Sequence, residues 1–312
     1  MKRIEYDRYG GPELMHLAQF EPAAPGPDEI LVRVKVAALN PVDWKIRNGD
    51  LGFMTGRKFP RAMGTEFSGV VERTGVAVTR LRPGDEVFGA VLMKDSGAFA
   101  EMLVTKTSLA VRKPPTLSFE QAACLSVAPV AAWRGLIEKA QIAAGQRLFV
   151  AGCCGAVGRA VVQLAKQRGA SVTGSCGPAD REAARQLGVD EVLDYTQGVP
   201  AALQARFDVV FDTAGKLSVS AGLALLAPRR GVLLDINVAP GRMLRGLLSR
   251  RYKIVMGMQS VPVLEALAAA AVEGTLHVQV GRTAPLAQAI ELITDVEQGR
   301  KAKGRSVIVM SA

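Results

Sequence analysis

One segment constrains this chain more than any other: Leu148-Phe149-Val150-Ala151-Gly152-Cys153-Cys154-Gly155-Ala156-Val157-Gly158. It sets an apolar strand, a glycine-punctuated turn and a helix start in immediate succession. Glycines at 152 and 155 let the backbone bend tightly and come close to a pyrophosphate, and one at 158 lets the helix pack on the strand. The first helical amides, those of Ala156 and Val157 among them, then face the anion with the helix dipole behind them. The spacing is G-x-x-G-x-x-G rather than G-x-G-x-x-G, so the motif draws its weight from its strand–turn–helix context.

That context is supplied on both sides. Strands are predicted at 147–151, 171–175, 191–193, 207–211 and 231–236, and helices at 157–168, 180–187 and about 219–226. Strands alternating with helices give an α/β fold with a doubly wound parallel sheet covered by helices on both faces. Residues 1–118 read differently. Ile30 to Val36 alternates apolar and polar with period two, and the segments 69–75 and 84–89 are short strands bounded by glycines. Such punctuation suggests a β-rich, barrel-like domain. Ser118 and Gln121 form a capping box that opens a helix. Toward the end, helix 264–273, strand 277–281, helix 286–298 and strand 306–310 are predicted. A chain of 312 residues suits two domains.

The second strand of the alternating region indicates which dinucleotide fits. An NAD-binding chain carries Asp or Glu about 20 residues past the glycine turn, to bind the ribose 2′-hydroxyl. Val172-Thr173-Gly174-Ser175-Cys176-Gly177 offers no carboxylate. A 2′-phosphate would meet no repulsion there. Ser175 can donate a hydrogen bond to it, Arg181 or Arg185 can supply charge, and Tyr195 can lie against the adenosine. NADPH is therefore expected over NADH, although Arg185 reads equally well as an exposed helical arginine.

Composition excludes several classes. No apolar run reaches the roughly 18–20 residues of a membrane span, so no membrane partner is expected. The start, Met1-Lys2-Arg3-Ile4-Glu5-Tyr6-Asp7, turns polar and acidic at once, which predicts a cytoplasmic protein. Cys124, Cys153, Cys154 and Cys176 lack zinc-knuckle spacing and read as reduced thiols. The net charge of +10 is scattered, without a basic–aromatic stripe, so no nucleic-acid partner is expected. The dense stretch Arg242, Arg245, Arg250, Arg251 and Lys253 is open between a solvated face and an attractor of phosphate. His16 and His277 read as surface or strand residues.

Several ordered motifs resemble a known family. They are Asn40-Pro-Val-Asp-Trp-Lys-Ile-Arg-Asn-Gly49, Gly64-Thr-Glu-Phe-Ser-Gly-Val-Val71, Gly84-Asp-Glu-Val-Phe-Gly89, Gly97-Ala-Phe-Ala-Glu101, Leu117-Ser-Phe-Glu-Gln-Ala-Ala123, the glycine turn, Phe207-Asp-Val-Val-Phe-Asp-Thr-Ala-Gly215 and Gly299-Arg-Lys-Ala-Lys-Gly-Arg-Ser-Val-Ile308. Together they resemble the medium-chain dehydrogenase/reductase superfamily, in its zinc-independent quinone oxidoreductase (zeta-crystallin-like) branch. The resemblance implies a GroES-like catalytic domain over 1–118 and 264–312. It implies a Rossmann NADP-binding domain over 119–263, an active site in the cleft between them, and a homodimer. The activity it implies is hydride transfer to a quinone or an α,β-unsaturated carbonyl, with a non-catalytic NADPH-binding protein as the alternative. It also places Asp212 and Thr213 along the nicotinamide-ribose edge, where Asp212 is alternatively a helix N-cap.

The resemblance argues against zinc residue by residue. Zinc-dependent relatives place Cys where Asn40 stands, His where Thr65 stands, and a third ligand near Val127. An amide, a hydroxyl and an apolar group do not replace those ligands. Without a metal, hydride addition to a conjugated acceptor needs a hydrogen-bond donor at the distant oxygen. Asn40 and Lys45 are the candidates. Asn40 is alternatively a turn residue before Pro41. Lys45 alternatively pairs with Asp43 or points to solvent. The family threonine near the nicotinamide is replaced by Ala131, and a family arginine after the second strand falls on Ala179, two residues before Arg181.

Overall fold

A computed structural model describes residues 1–228, 230–300 and 303–310. Lys301 and Ala302 of the motif ending at Ile308, and the last two residues of the expected domain, lie outside them. The chain divides into two compact units. One comprises Met1–Val127, Gln259–Glu273 and Val278–Ala312, and the other Ala128–Met258 and Gly274–His277.

The first unit begins with strands β1 (Lys2–Tyr6), β2 (His16–Gln19) and β3 (Glu29–Ala38), then helices α1 (Pro41–Asn48) and α2 (Gly52–Thr55). Strands β4 (Arg61–Ala62), β5 (Glu66–Thr74), β6 (Glu86–Ala90), β7 (Met102–Lys106) and β8 (Ala110–Arg112) follow, and helix α3 (Phe119–Ala123) closes this stretch. The period-two segment is the antiparallel backbone of the unit. β3 pairs with β5 from Ile30↔Thr74 to Ala38↔Glu66, and with β7 along its first half. One face of this sheet buries Ile30, Val32, Val34, Phe67, Val71 and Val87. The capping box forms as expected: Gln121 N donates to Ser118 Oγ at 3.2 Å and Ser118 N to Gln121 Oε1 at 3.0 Å.

The second unit holds α4 (Ala128–Trp133), then β9 (Arg147–Ala151), α5 (Ala156–Gln167), β10 (Ser171–Cys176), α6 (Arg181–Gln186) and β11 (Glu191–Asp194). It continues with β12 (Val209–Asp212), α7 (Val219–Leu225), β13 (Val232–Asp235), α8 (Pro240–Leu248) and β14 (Tyr252–Ile254). Its six strands are parallel, in the order β11-β10-β9-β12-β13-β14. The chain runs outward from β9 in both directions. That reversal opens a crevice at the carboxyl end of β9, where ligands of such sheets collect. Phe149, Phe207, Val210, Leu233 and Tyr252 build a core on one face of the sheet.

The chain then returns to the first unit through α9 (Val261–Val272), β15 (Val280–Pro285), α10 (Ala289–Glu297) and β16 (Arg305–Val309). β16 pairs antiparallel to β3 and parallel to β15.

Three expectations shift. Residues 119–127, read with the parallel-sheet domain, fall in the first unit. Ala123 and Cys124 pack with Val36, Ala38 and Val307, and Ser68 Oγ donates to Phe119 O at 2.6 Å. The strand expected at 277–281 is β15, at Val280–Pro285. Its partner β16 fixes it, and Gly281 lies so close to Lys303 that a Cβ would meet the Lys303 carbonyl oxygen at 2.0 Å. The basic stretch is α8 followed by edge strand β14, rather than one solvated face. Arg251 donates to Gly231 O and Ala227 O, and Lys253 to Lys139 O.

One buried cation anchors α1. Arg47 is fully buried and donates to Gly10 O at 3.0 Å, to Asn48 Oδ1 at 2.7 Å, and to both carboxylate oxygens of Glu297 on α10 at 2.8 Å. Removing one partner of a buried pair leaves the other charge uncompensated. Glu297→Ala is expected to destabilise the protein by about 3 kcal/mol, with Glu297→Gln recovering part of that. Urea unfolding of the first unit measures both, and unchanged midpoints would remove Arg47 from its anchoring role.

Candidate functional site

The turn after β9 is built by close approach. Gly152 sits at φ +79°, in the left-handed region, and its N–H and that of Cys153 donate to Ser175 O of β10 at 3.0 Å. Gly158, in the first turn of α5, lies against this turn. A Cβ there would meet the Gly152 carbonyl oxygen at 2.1 Å and Cys153 Cα at 2.8 Å. No side chain fits, so the glycine lets α5 start directly over the strand end. Gly155 is the N-cap of α5 and is exposed, while Ala156 and Val157 are half-buried. A Cβ at Gly155 would meet only Gly152 O, at 3.3 Å. At Gly155 the exposed surface of the turn is therefore backbone. The amides of a 12-residue helix end there without an acidic side chain in the first turn. These residues fit a dinucleotide diphosphate.

A second group gathers at the carboxyl ends of β10 and β11. Ser175 is buried in β10, between Ala151 and Leu193 in register. Arg181 opens α6, and its guanidinium lies 3.1 Å from Asp194 Oδ2 at the end of β11. Tyr195 follows at once and is exposed, its ring near Gly177: a Cβ there would meet Tyr195 Cε1 at 3.5 Å. Arg185 pairs with Glu182, in the exposed helix. Ser175, Arg181 and Tyr195 are thus neighbours along adjoining strand ends. Sequence reasoning missed Asp194. It sought an acid only on β10, yet Cys176 of β10 stands opposite Asp194 in register. Hydrogen bonds from Thr196 and the charge of Arg181 hold the Asp194 carboxyl below its ordinary range.

Asp212 ends β12, Thr213 follows it, and both are buried. Thr213 Oγ1 donates to Ala151 O at 2.7 Å, pinning β12 to the start of the glycine turn. The Asp212 carboxylate accepts from the amides of Ala214, Gly215, Lys216 and Leu217 and is almost completely buried. It organises that loop. The N-cap of the following helix is Ser218, not Asp212. Arg242 of α8 pairs with Asp235 and donates to Leu217 O at 3.0 Å, so one arginine of the basic stretch neutralises the acids at these strand ends. Ala131 lies on α4.

The first unit contains a buried polar cluster around Asn40. Asn40 is the N-cap position of α1, and its backbone N–H donates to Asp43 Oδ2 at 2.7 Å. Its side chain is engaged as well. Nδ2 donates to Glu66 Oε1 at 2.7 Å, and Oδ1 accepts from Arg305 at 2.9 Å. Arg305 also pairs with Glu66 Oε1, and Val127 N donates to Glu66 Oε2 at 2.8 Å. Thr65 Oγ1 donates to Asp43 Oδ1 at 2.8 Å. Burial pushes Asp43 up to about 7, against the hydrogen bonds from Asn40 and Thr65 that pull it down. Burial also raises Glu66, against the pull of Arg305. Lys45 lies on the exposed side of α1, so the structure does not join it to Asn40 in one cluster.

This donor set does not suit Zn²⁺. The Asn40 amide and the Thr65 hydroxyl are bonded within the cluster, and the Arg305 guanidinium already stands as the cation beside Glu66. Among the described residues, the only grouping of three metal-ligating side chains is Cys153, Cys154 and Cys176, in the other unit. Sequence reasoning did not foresee the roles of Asp43, Glu66 and Arg305. The signal was present for two of them: Asp43 stands three residues after Asn40, where a capping box places its acid, and Glu66 ends the Gly64-Thr65-Glu66 triplet. Arg305 had no local signal.

Residues 26–115 match the alcohol dehydrogenase GroES-like domain, and residues 187–308 match the zinc-binding dehydrogenase model. A chloroplastic quinone-oxidoreductase homolog of Spinacia oleracea is 36% identical over 257 residues, covering 78% of this chain and 77% of its own. The mitochondrial NAD(P)H oxidoreductase RTN4IP1 of Mus musculus is 29% identical, covering 97% and 87%. Among solved structures, the quinone oxidoreductase from Coxiella burnetii superimposes with a TM-score of 0.89 at 25% identity, covering 100% of this chain and 99% of that one.

The titration of Asp43 can be tested through stability. The folded state keeps a proton that the unfolded chain releases. Stability therefore falls as pH rises from about 4 to about 7, by up to roughly 4 kcal/mol from this residue. Asp43→Asn should flatten that slope in chemical unfolding across this window. Parallel pH profiles for the two proteins would show that Asp43 titrates normally.

Proposed function

The chain belongs to the medium-chain dehydrogenase/reductase superfamily, in its quinone oxidoreductase-like branch, and on that basis we propose that it is an NADPH-dependent enzyme that reduces a quinone or an α,β-unsaturated carbonyl without zinc. The observation that carries this is the close-packed glycine turn that sets the N-terminal amides of α5 at the switch point of the sheet. It fits a nicotinamide coenzyme, in keeping with the oxidoreductase relatives. The zinc-free part rests on Asn40, whose side chain is held by Glu66 and Arg305, and on Thr65, whose hydroxyl is given to Asp43.

In this proposal each residue has a local task. The amides of Ala156, Val157 and Gly158 hold the diphosphate, with Gly152 and Gly155, whose N–H donates to Gly152 O at 3.0 Å, shaping the turn. Ser175 and Arg181 receive the 2′-phosphate and Tyr195 lies along the adenosine. Asp194 competes for Arg181, so the preference for NADPH depends on how far that arginine is freed from its pair. Asp212 and Thr213 hold the loop beside the nicotinamide ribose. When bound, the reduced nicotinamide supplies the hydride. Lys45, exposed on α1, donates to the acceptor oxygen as negative charge develops there, and its ammonium matches that charge. Asn40 acts as a positioning residue: its bonds to Glu66 and Arg305 fix the start of the helix that carries Lys45. The family resemblance supports a homodimer, and the four free cysteines support a reducing, cytoplasmic setting. No helix among the described residues is long and apolar enough to cross a membrane.

A second reading is favoured by one observation. The side chain of Asn40 has both its oxygen and its nitrogen engaged within the protein, which leaves Lys45 to act alone. A chain with so few donors could bind NADPH without turnover.

Stopped-flow loss of NADPH absorbance on mixing with a quinone or an enone separates the two. Turnover is expected with at least one class, whereas tight binding with flat traces selects the second reading. Lack of affinity for both reduced coenzymes ends both. Arg181→Ala should weaken NADPH by about 10–100-fold, the value of a charged hydrogen bond, and leave NADH unchanged. Lys45→Met should lower kcat by roughly 100-fold without altering coenzyme affinity.

A further inference from the structure

Three of the four cysteines meet at the glycine turn, and no step of the proposed reaction uses them. Cys153 and Cys154 follow Gly152, and Cys176 ends the neighbouring strand β10. Their three Sγ atoms lie within 4.8 Å of one another, and those of Cys153 and Cys154 are 4.0 Å apart. From these positions we propose that Cys153, Cys154 and Cys176 form a trithiolate site for a thiophilic d¹⁰ cation such as Zn²⁺ or Cd²⁺.

The distances suit that occupant. With zinc–sulfur bonds of about 2.3 Å, three sulfurs around one ion stand about 3.8–4.0 Å apart. Little movement would be needed. The walls are also tightly built. Cys153 is fully buried, and Gly174 of β10 is pressed against it: a Cβ at 174 would meet Cys153 Cβ and Sγ at 2.8 Å. Cys176 is buried, while Cys154 is half-buried and gives an ion a way in. The fourth position falls to water on that open side.

Charge favours the site as well. Binding of Zn²⁺ to three thiols releases three protons and leaves one net negative charge. That charge sits at the N-terminus of α5, whose dipole stabilises anions. The thiols of Cys153 and Cys154 hydrogen-bond to each other at 4.0 Å. An ion replaces this shared proton with stronger bonds to all three sulfurs. Soft thiolate sets of this kind select Zn²⁺ and its heavier congeners over Mg²⁺ or Ca²⁺. The site depends on no assumption about coenzyme or substrate.

The test uses the full chain, reduced and stripped of metal. Titration with Cd²⁺ should give one equivalent per chain and an ultraviolet thiolate-to-metal charge-transfer band, and Zn²⁺ should compete for the same site. Cys154→Ser, the least buried position, should weaken Cd²⁺ by more than the roughly 10–100-fold that loss of an outer-shell partner costs. A wild-type protein without the band, or a Cys154→Ser protein of unchanged affinity, overturns the proposal. If that variant fails to fold, alkylation of the wild type decides. Zn²⁺ should protect Cys154 and Cys176 and leave Cys124, in the other unit, unaffected, whereas equal labelling of Cys154 with and without Zn²⁺ overturns it.

Discussion

The contact on which the rest of the second unit depends is a van der Waals limit. The backbone of α5 crosses the turn after β9 so closely that a Cβ at Gly158 would lie 2.1 Å from the Gly152 carbonyl oxygen. Because nothing intervenes, the helix starts at the strand end, and its free amides face outward as bare backbone. Neighbouring groups then take their places by register. Ser175 O anchors Gly152 N and Cys153 N, Thr213 Oγ1 ties β12 to Ala151, and Cys176 is carried to the two turn cysteines. The helix N-terminus at the strand end and the cluster of thiols thus arise from the same close approach.

The first unit rests on a different constraint, the cost of burying charge. Glu66 and Arg305 come from β5 and β16, far apart in sequence, and meet where neither is solvated. Desolvated ions need partners, and Asn40, Val127 N and Arg305 together answer Glu66. Asp43, alongside, has two hydrogen-bond donors but, among the described residues, no cation in direct contact. Burial therefore wins for Asp43 and lifts it to about 7. The same enclosure that makes the cluster rigid occupies the amide and hydroxyl groups a metal would need.

Local pattern and observed structure agree closely where the pattern was strong. β9 spans the expected residues, α5 is displaced by one residue, and the Ser118–Gln121 capping box forms. Each is written in adjacent residues: an apolar run, glycines at fixed offsets, a hydroxyl three places before an amide. β14 and β15 were missed or shifted because their sequences, Tyr252–Ile254 and Val280–Pro285, are short or polar. Pairing with β13 and β16 makes them strands, and pairing at long range leaves no local period. The residues around the glycine turn follow the same division. Gly152, Gly155 and Gly158 were legible, while Asp194 was not, since its place beside β10 depends on register between strands.

The sequence by itself determined that strand, glycine turn and helix follow one another after residue 146, and that the surrounding units alternate. Steric demands on glycine and the periods of helix and strand act within a few residues, so they can be read from order alone. Only the tertiary structure decided that Arg305 answers Glu66 and that Cys176 reaches the two turn cysteines. Those outcomes turn on distance and desolvation between segments remote in the chain, and neither quantity exists until the chain has folded.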